Sequence, residues 1–352
     1  MRKKTIASFL CIVLSVTTLL GCTSNNSVSK GNEYVDENSS ITVSSVEASS
    51  SDSADKPSTE ASIATEESSS ASEATSSEDS ASTDTSSDSD ELVVVYLGDS
   101  QMDNGREDNT DIPSYVQQIL GGTHYNLGVG GTVATNKAGT DNSQDSNLFG
   151  FLSIFEGRYT VDECLLTDYA AYDIVQNVNL QDVDVFVLAY GINDFLAKMP
   201  RAYDYDTINY ATYRGGLTYG INKLRMLCPN AAIILCSPTY CYFYDVVGIE
   251  NSDGNMADLG YGTLSEYAST CEQVAEEKGC TYLDTYYGTR FDLSIYTFDK
   301  YTTDGIHLNN TGRQIYATVL ARYIKLTLGT AQGSWEYPLT IDNFEFDPNI
   351  YM

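Results

Sequence analysis

The chain contains few histidines and no closely spaced pair of cysteines. His124 and His307 are its only imidazoles, and none of the eight cysteines belongs to a Cys-x-x-Cys motif. Structural zinc sites are built from clustered cysteine and histidine ligands. The sequence therefore argues against such a site, and it leaves two candidates for a catalytic base that titrates near neutral pH.

Positive charge is also scarce. The sequence has 19 Lys and Arg residues against 49 Asp and Glu residues, which gives a net charge of -30 at pH 7. Such a negative field repels nucleic acid and anionic lipid headgroups. We therefore expect no nucleic-acid partner and a neutral or cationic substrate.

The first 22 residues have the pattern of an export signal. A basic segment, Arg2-Lys3-Lys4, precedes an apolar run from Thr5 to Leu20, which is short for a membrane-spanning helix. The run ends in Leu19-Leu20-Gly21-Cys22, which resembles the lipobox of bacterial lipoproteins. That resemblance implies cleavage before Cys22, a lipid on its thiol, and a protein held at the outer face of the cell membrane by this lipid alone. The alternative is an ordinary secretory signal.

Residues 23–90 have the composition of a disordered tether. They are rich in Ser, Thr and Ala, and their 15 Asp and Glu residues against Lys30 and Lys56 give a net charge of -13. Such a segment buries too little apolar surface to offset the entropy of ordering, and its charges repel one another. We expect it to hold the rest of the chain away from the membrane.

Residues 91–352 are long enough for one domain with a sizeable core, and their net charge is -20. The cysteines of this domain are Cys164, Cys228, Cys236, Cys241, Cys271 and Cys280. Disulfide bonds form outside the cell, but a buried cysteine also packs as a small apolar residue. We expect at most two disulfide bonds.

Apolar, β-branched runs alternate with helical patterns along this domain. Such runs are typical of strands buried on both faces of a parallel sheet. The predicted strands are Leu92–Leu97, His124–Leu127, Val183–Tyr190, Ala231–Cys236 and Thr281–Leu283. The predicted helices are Ile112–Leu120, Tyr169–Asn177, Thr207–Leu227, Ser265–Lys278 and Thr311–Leu328, the last capped by Asn310 or Thr311. The alternation predicts an α/β fold with a five-stranded parallel sheet.

Four short motifs carry the candidate chemistry. Three of them follow predicted strands, and the fourth precedes the last helix. They are Gly98-Asp99-Ser100, Asn126-Leu-Gly-Val-Gly-Gly131, Gly191-Ile-Asn193-Asp194 and Asp304-Gly-Ile-His307. Parallel sheets bind ligands at the carboxyl ends of their strands. We therefore expect the polar groups of the first three motifs at one edge of the sheet.

A hydroxyl, an imidazole and a carboxylate are the groups that acyl transfer through a serine ester requires. Ser100 is the candidate nucleophile, His307 the base, and Asp304 the carboxylate that orients the base. The structural alternatives are a helix N-cap for Ser100 and a turn or capping role for Asp304. His307 is favoured over His124, because His124 does not lie in a loop that follows a strand.

Gly131 and Asn193 are the candidate donors of an oxyanion hole. A glycine allows a close approach of the backbone N–H, and an asparagine amide donates to developing negative charge. The alternatives are a flexible turn for the glycine and a helix cap for Asn193. Asp99 and Asp194 are expected to hold these loops by hydrogen bonds.

In order and spacing, the four motifs resemble those of the SGNH hydrolases of the GDSL lipase/esterase family, over about residues 92–328. The resemblance implies a flavodoxin-like, three-layer α/β/α fold that needs no metal or organic cofactor. The roles it implies are Ser100 as nucleophile and, through its own N–H, oxyanion donor, Gly131 and Asn193 as further donors, His307 as base and Asp304 as its partner.

One position departs from the family pattern, and another is assigned by its spacing alone. Gln101 stands where the family name has leucine, at a position that varies. Gly131 is chosen over Gly130 by its distance along the chain from Asn126.

Tyrosines suggest the substrate. The domain contains 26 of the 27, and several follow the third and fourth predicted strands: Tyr203, Tyr205, Tyr210, Tyr213, Tyr240, Tyr242 and Tyr244. Aromatic rings with polar tips suit sugar rings. We therefore predict an esterase that removes short acyl groups, O-acetyl above all, from an acylated small molecule or polysaccharide outside the cell.

Other interpretations of the substrate remain open. The tyrosines are also consistent with an ordinary surface loop. A lysophospholipase or lipid esterase is disfavoured by the polar segments 136–168 and 240–262. An inactive, tethered glycan-binding protein on the same fold is the remaining alternative. The segment from Gly329 to Met352, with Trp335, is expected to pack back on the domain.

Overall fold

The computed structural model describes residues 91–137, 144–203, 209–333 and 338–349, all within one structural unit, Thr83–Met352. The predicted signal peptide, the lipid attachment site Cys22 and the tether 23–90 lie outside the described residues and stay predictions. Within the described ranges, no helix is both long and apolar enough to cross a membrane.

Five strands form an all-parallel sheet: β1 Val93–Gly98, β2 Thr123–Asn126, β3 Val185–Ala189, β4 Ala232–Cys236 and β7 Thr281–Leu283. Their order in the sheet is β2-β1-β3-β4-β7. A separate antiparallel hairpin pairs β5 Tyr242–Phe243 with β6 Ser252–Asp253. The chain leaves β1 in one direction to form β2 and later in the other to form β3. The crevice between β1 and β3 is where such sheets bind ligands.

Helices cover both faces of the sheet. They are α1 Ser100–Asp103, α2 Ile112–Leu120, α3 Leu148–Phe155, α4 Val161–Cys164, α5 Ala170–Val175, α6 Ile192–Leu196, α7 Tyr213–Leu227, α8 Leu264–Lys278, α9 Phe298–Tyr301 and α10 Asn310–Thr327. On one face α2 packs against α10, and on the other face α7 packs against α3 and α8. These layers confirm the predicted flavodoxin-like α/β/α fold.

The sequences of the central strands are almost entirely apolar, because helices cover both faces of the sheet. Val94, Val95, Phe186, Val187 and Ile234 have no exposed surface. All five strands that were predicted are present, with ends shifted by no more than two residues. The core of the domain therefore follows directly from the pattern of β-branched and apolar residues.

Side-chain caps set where two helices begin, and both differ from the prediction. Helix α7 begins at Tyr213, because the Thr212 hydroxyl accepts the backbone N–H three residues on, at 3.0 Å. The predicted start, Thr207, lies outside the described residues. Helix α10 is capped by Asn309, whose Oδ1 accepts an equivalent N–H at 2.9 Å, and not by Asn310 or Thr311. A cap fixes the first turn because it satisfies an N–H that the helix itself leaves unpaired.

The composition of segment 136–168 indicated a polar surface segment, but several of its apolar residues are buried. Its described part contains α3, where Leu148, Phe151 and Leu152 have no exposed surface. Asn147 caps this helix by accepting the N–H of Phe149 at 3.0 Å. The apolar residues of α3 therefore belong to the core.

The described part of the C-terminal segment packs on the domain, as predicted. Phe346 lies against Tyr115, with ring centroids 4.8 Å apart, and the Leu339 carbonyl accepts the N–H of Asp292 at 3.0 Å. Trp335 lies outside the described residues. No disulfide bond joins the cysteines of the described domain, and all but Cys280 are buried.

Candidate active site

The first motif forms a tight turn from β1 into α1. A side chain at Gly98 would approach Met102 Cγ to 2.8 Å and the Ala189 carbonyl oxygen to 2.9 Å, so the turn needs glycine. Asp99 is the N-cap of α1, and its Oδ1 accepts the N–H of Gln101 at 3.0 Å. Ser100 therefore does not cap the helix, and its hydroxyl is left for another partner.

That partner is the predicted base. Ser100 Oγ lies 3.1 Å from His307 Nε2, and His307 Nδ1 lies 2.7 Å from Asp304 Oδ2. Asp304 Oδ1 also accepts the backbone N–H groups of Ile306 at 3.0 Å and of His307 at 2.7 Å. The structure thus brings the three predicted residues into one hydrogen-bonded series, although 207 positions separate the serine from the histidine.

The pKa shifts of Asp304 and His307 are consistent with His307 as the base. Partial burial alone would raise the pKa of Asp304, but hydrogen bonds from the side chain and backbone of His307 outweigh it and lower the pKa to about 2. The hydrogen bond to Asp304 in turn raises the pKa of His307 above its ordinary value of 6.5, against the opposing effect of burial. Asp304 therefore stays ionised and stabilises an imidazolium when one forms.

The loop of the fourth motif is held by contacts that the sequence did not indicate. Gln101 is buried, donates through Nε2 to the Ile306 carbonyl at 2.8 Å, and accepts the N–H of Leu308 at 3.4 Å. A side chain at Gly305, whose φ is 87°, would overlap the Tyr242 carbonyl oxygen. Gln101 therefore ties the loop of the base to the helix of the nucleophile, a role that its chemistry permits and a leucine could not fill.

The second motif delivers one unpaired N–H close to Ser100. A Cβ at Gly130 would lie 3.8 Å from Ser100 Cβ, so this loop abuts the serine, but the Gly130 N–H already donates to Asp103 Oδ2 at 3.2 Å. Gly131 has a φ of 80°, and its N–H has no partner among the described residues. Gly131 is thus the glycine of the pair whose N–H is available to a ligand.

The third motif places an amide at the same edge. Asn193 lies inside α6, whose N-cap is Gly191, so it is not the helix cap. Its Nδ2 is buried without a hydrogen-bond partner in the described part of the chain. A buried, unpaired donor costs about 1–3 kcal/mol. A bound ligand with an acceptor oxygen would remove that cost.

Asp194 joins the third motif to the segment that directly follows the second motif, and it holds this loop by hydrogen bonds as predicted. Its two carboxylate oxygens accept the backbone N–H groups of Ala134 and Thr135, each at 3.0 Å, and its side chain also bonds the Thr135 hydroxyl. Burial raises the pKa of Asp194 to about 6 and that of Asp99 to about 7. Both carboxylates act on the loops and neither lies in the series formed by Ser100.

The other histidine is structural. His124 lies in β2, where its Nδ1 is 2.8 Å from the Tyr96 hydroxyl and its Nε2 is 2.9 Å from the Gly121 carbonyl oxygen. Burial lowers the pKa of His124 to about 4. His307 is therefore the imidazole available for proton transfer. No group of three or more potential metal ligands is found among the described residues.

The predicted tyrosines divide into two groups. Tyr213 and Tyr240 are buried in the core, so the expectation that they line the edge is wrong. Tyr242 and Tyr244 lie beside the loop of the fourth motif. Tyr205 lies outside the described residues. Tyr213 is the first residue of α7 and faces the core. The orientation of Tyr240 and Tyr244 could not be predicted, because the irregular segments that carry them have no regular period.

A serine, a histidine and an aspartate thus meet at the carboxyl edge of a five-stranded parallel sheet, and these are the groups that acyl transfer through a serine ester requires. The chain belongs to the GDSL-like lipase/acylhydrolase family, whose model matches residues 96–315. It is accordingly a carboxylic ester hydrolase.

Several solved structures are similar to this chain. One of them shares 19% identity with a TM-score of 0.51, over 67% of this chain and 97% of its own. A possible lipase from Chitinophaga pinensis shares 18% (TM-score 0.47), over 68% of this chain and 100% of its own. An acetylxylan esterase from Geobacillus stearothermophilus shares 19% (TM-score 0.41), over 66% and 94%. No curated protein matches the chain.

Proposed function

We propose that the protein hydrolyses short-chain esters, principally O-acetyl esters of a glycan, through an acyl-enzyme on Ser100. The observation that carries the proposal is the series Ser100 Oγ, His307 and Asp304, with spacings of 3.1 and 2.7 Å. The N–H groups of Gly131 and Asn193 that have no partner among the described residues come from the loops after β2 and β3, the strands on either side of β1. Ser100 follows β1, and Asp304 and His307 share the loop before α10.

In the first half of the reaction, Ser100 Oγ attacks the ester carbonyl while His307 Nε2 takes its proton. Asp304 stabilises the resulting imidazolium through Nδ1. The carbonyl oxygen becomes an oxyanion that accepts the N–H groups of Ser100 and Gly131 and the amide of Asn193. When the tetrahedral intermediate collapses, His307 returns the proton to the departing alcohol oxygen, and the acyl group stays on Ser100.

In the second half, water replaces the alcohol. His307 Nε2 takes a proton from the water as its oxygen attacks the acyl carbonyl, and the same donors hold the second oxyanion. Collapse breaks the bond to Ser100 Oγ, which recovers the proton from His307. The products are the free acid and the unchanged enzyme.

Replacing Asn193 by alanine should lower kcat by about 100- to 1000-fold with little change in KM, because one oxyanion donor is lost. Steady-state kinetics on p-nitrophenyl acetate measures both constants. The isosteric Asn193→Asp should be at least as impaired, since a carboxylate repels the oxyanion. If Asn193→Ala keeps more than half of wild-type kcat, the amide is not a donor.

The charge around the site favours a neutral substrate. A cleft of about 460 Å³ opens beside α1, one helical turn from Ser100. Its charged lining residues are Asp103, Arg106, Glu107, Asp108 and Asp168. Ser100 and His307 do not line this cleft, so it neighbours the site and does not form it. Because carboxylates predominate there, the electrostatic field next to Ser100 disfavours an anionic substrate.

We place the reaction at the outer face of the cell membrane. The support is the sequence alone: an export signal that ends in Cys22, followed by the acidic tether 23–90. Fractionation of cells into membrane and medium, with Cys22→Ser for comparison, tests this part.

A series of acyl lengths tests the substrate class. For the full chain, kcat/KM should fall from p-nitrophenyl acetate through butyrate to octanoate, by more than about tenfold overall, and acetate should be released from acetylated polysaccharide. A preference for octanoate would replace the glycan ester by a lipid ester. No turnover of any ester would leave a binding protein on a hydrolase fold.

A further inference from the structure

Three aromatic rings form an aromatic shelf, Tyr242, Tyr244 and Phe298, beside the fourth motif. Tyr242 stacks on Phe298 with centroids 4.6 Å apart and ring planes at 11°. Tyr244 lies 4.8 Å from Tyr242 and 6.1 Å from Phe298. Tyr244 is 49% exposed, so its ring is accessible to solvent, whereas Tyr242 and Phe298 stack on each other.

The shelf is attached to the loop of the base. The N–H of Tyr242 donates to the Gly305 carbonyl at 2.8 Å, and a Cβ at Gly305 would lie 3.1 Å from a ring carbon of Tyr244. Gly305 precedes His307 by two residues. The shelf therefore lies on the His307 side of Ser100, whereas the unpaired N–H groups come from the loops after β2 and β3.

This difference in position matters because the two parts of an ester separate during the reaction. The carbonyl oxygen must point at the oxyanion donors. The alcohol oxygen must lie within hydrogen-bond reach of His307 Nε2, since that atom returns the proton to it. The alcohol part of the substrate is thus directed to the side where the shelf lies.

We infer that the aromatic shelf binds the alcohol part of the ester, a neutral pyranose whose C–H face stacks on Tyr244. The inference rests on the acyl-transfer function proposed above. Exposed tyrosine combines an apolar face with a polar tip, which matches a sugar ring and its hydroxyls. Asp299 and Asp304 nearby disfavour an acidic sugar.

The test compares two acetate esters that differ only in the alcohol. For an acetylated methyl pyranoside, Tyr244→Ala should lower kcat/KM by about tenfold, as expected for one lost stacking contact. For ethyl acetate, whose alcohol has no ring, kcat/KM should not change. Tyr244→Phe keeps the ring and should retain most of the activity. Tyr261→Ala, at a tyrosine of similar exposure (46%) in another loop, is the matched control.

The reverse transfer gives a second readout. Added methyl pyranoside can attack the acetyl group on Ser100 in place of water, with His307 taking the proton of the attacking hydroxyl. The ratio of acetyl pyranoside to free acetate should fall about tenfold in Tyr244→Ala. This ratio depends on alcohol binding after the first alcohol has left.

The outcomes separate the inference from the function on which it rests. If Tyr244→Ala loses the same factor on both esters, or loses nothing on the pyranoside, the shelf does not bind the alcohol. If the wild type releases no acetate from the pyranoside yet hydrolyses octanoate esters, the proposed substrate class itself is wrong.

Discussion

Replacing Ser100 by alanine should lower kcat for p-nitrophenyl acetate by about five to six orders of magnitude, because no acyl-enzyme can form. The fold should not change. Among the described residues, Ser100 Oγ is hydrogen-bonded to His307 alone, and the cap of α1 is Asp99. Initial rates together with thermal unfolding distinguish the loss of chemistry from the loss of structure.

Ser269→Ala provides the control for this variant. Ser269 is a half-buried serine on α8 whose hydroxyl donates to the Ser265 carbonyl at 3.2 Å and lies 2.8 Å from the Tyr287 hydroxyl. The substitution removes the same atom from a hydrogen-bonded serine away from the site. We expect full activity from it. Substantial turnover by Ser100→Ala would mean that another residue is the nucleophile.

The second large effect is expected for Asp304→Asn, with kcat lower by about 10⁴-fold. Asparagine keeps an oxygen for the backbone N–H groups of Ile306 and His307, so the loop keeps its shape. Its NH₂ group then faces His307 Nδ1 and forces the proton onto Nε2. An imidazole in that tautomer cannot accept the proton of Ser100.

The same variant should shift the pH dependence. In the wild type, kcat/KM falls at acid pH as His307 becomes protonated, with a midpoint above 6.5 because Asp304 raises its pKa. Without the carboxylate, the imidazolium loses its partner, and the midpoint of the residual activity moves to lower pH. Asp299→Asn, an exposed aspartate on α9, should leave the midpoint unchanged. An unmoved midpoint in Asp304→Asn would show that Asp304 does not interact with the base.

The fold and the reacting groups could be predicted because both depend on local patterns. Continuous β-branched runs have few alternatives to a buried strand, and the three predicted loops begin where β1, β2 and β3 end. Only two histidines had to be considered. That Ser100, His307 and Asp304 meet thus followed from composition, order and the family resemblance.

The supporting contacts could not be predicted in this way. Gln101 meets Ile306 and Leu308 across about 200 positions, and nothing in the sequence near Gln101 marks that pairing. The N-cap of α1 is Asp99 and not Ser100, which depends on the backbone angles of the turn. Whether a tyrosine such as Tyr240 points inward depends on the shape of an irregular loop.

The hairpin β5–β6 lies in one continuous stretch between the end of β4 at Cys236 and the start of α8 at Leu264. Both ends of this stretch are fixed to the core, while Tyr242 and Tyr244 are carried between them. Within it, most residues of the turn between β5 and β6, from Tyr244 to Asn251, are exposed, whereas Tyr240 and Phe243 are buried. Substitutions in that turn can therefore accumulate without altering the sheet or the loop of the base. If the aromatic shelf binds the alcohol as inferred, evolution or an engineer can change the preferred alcohol there while the acyl chemistry is kept.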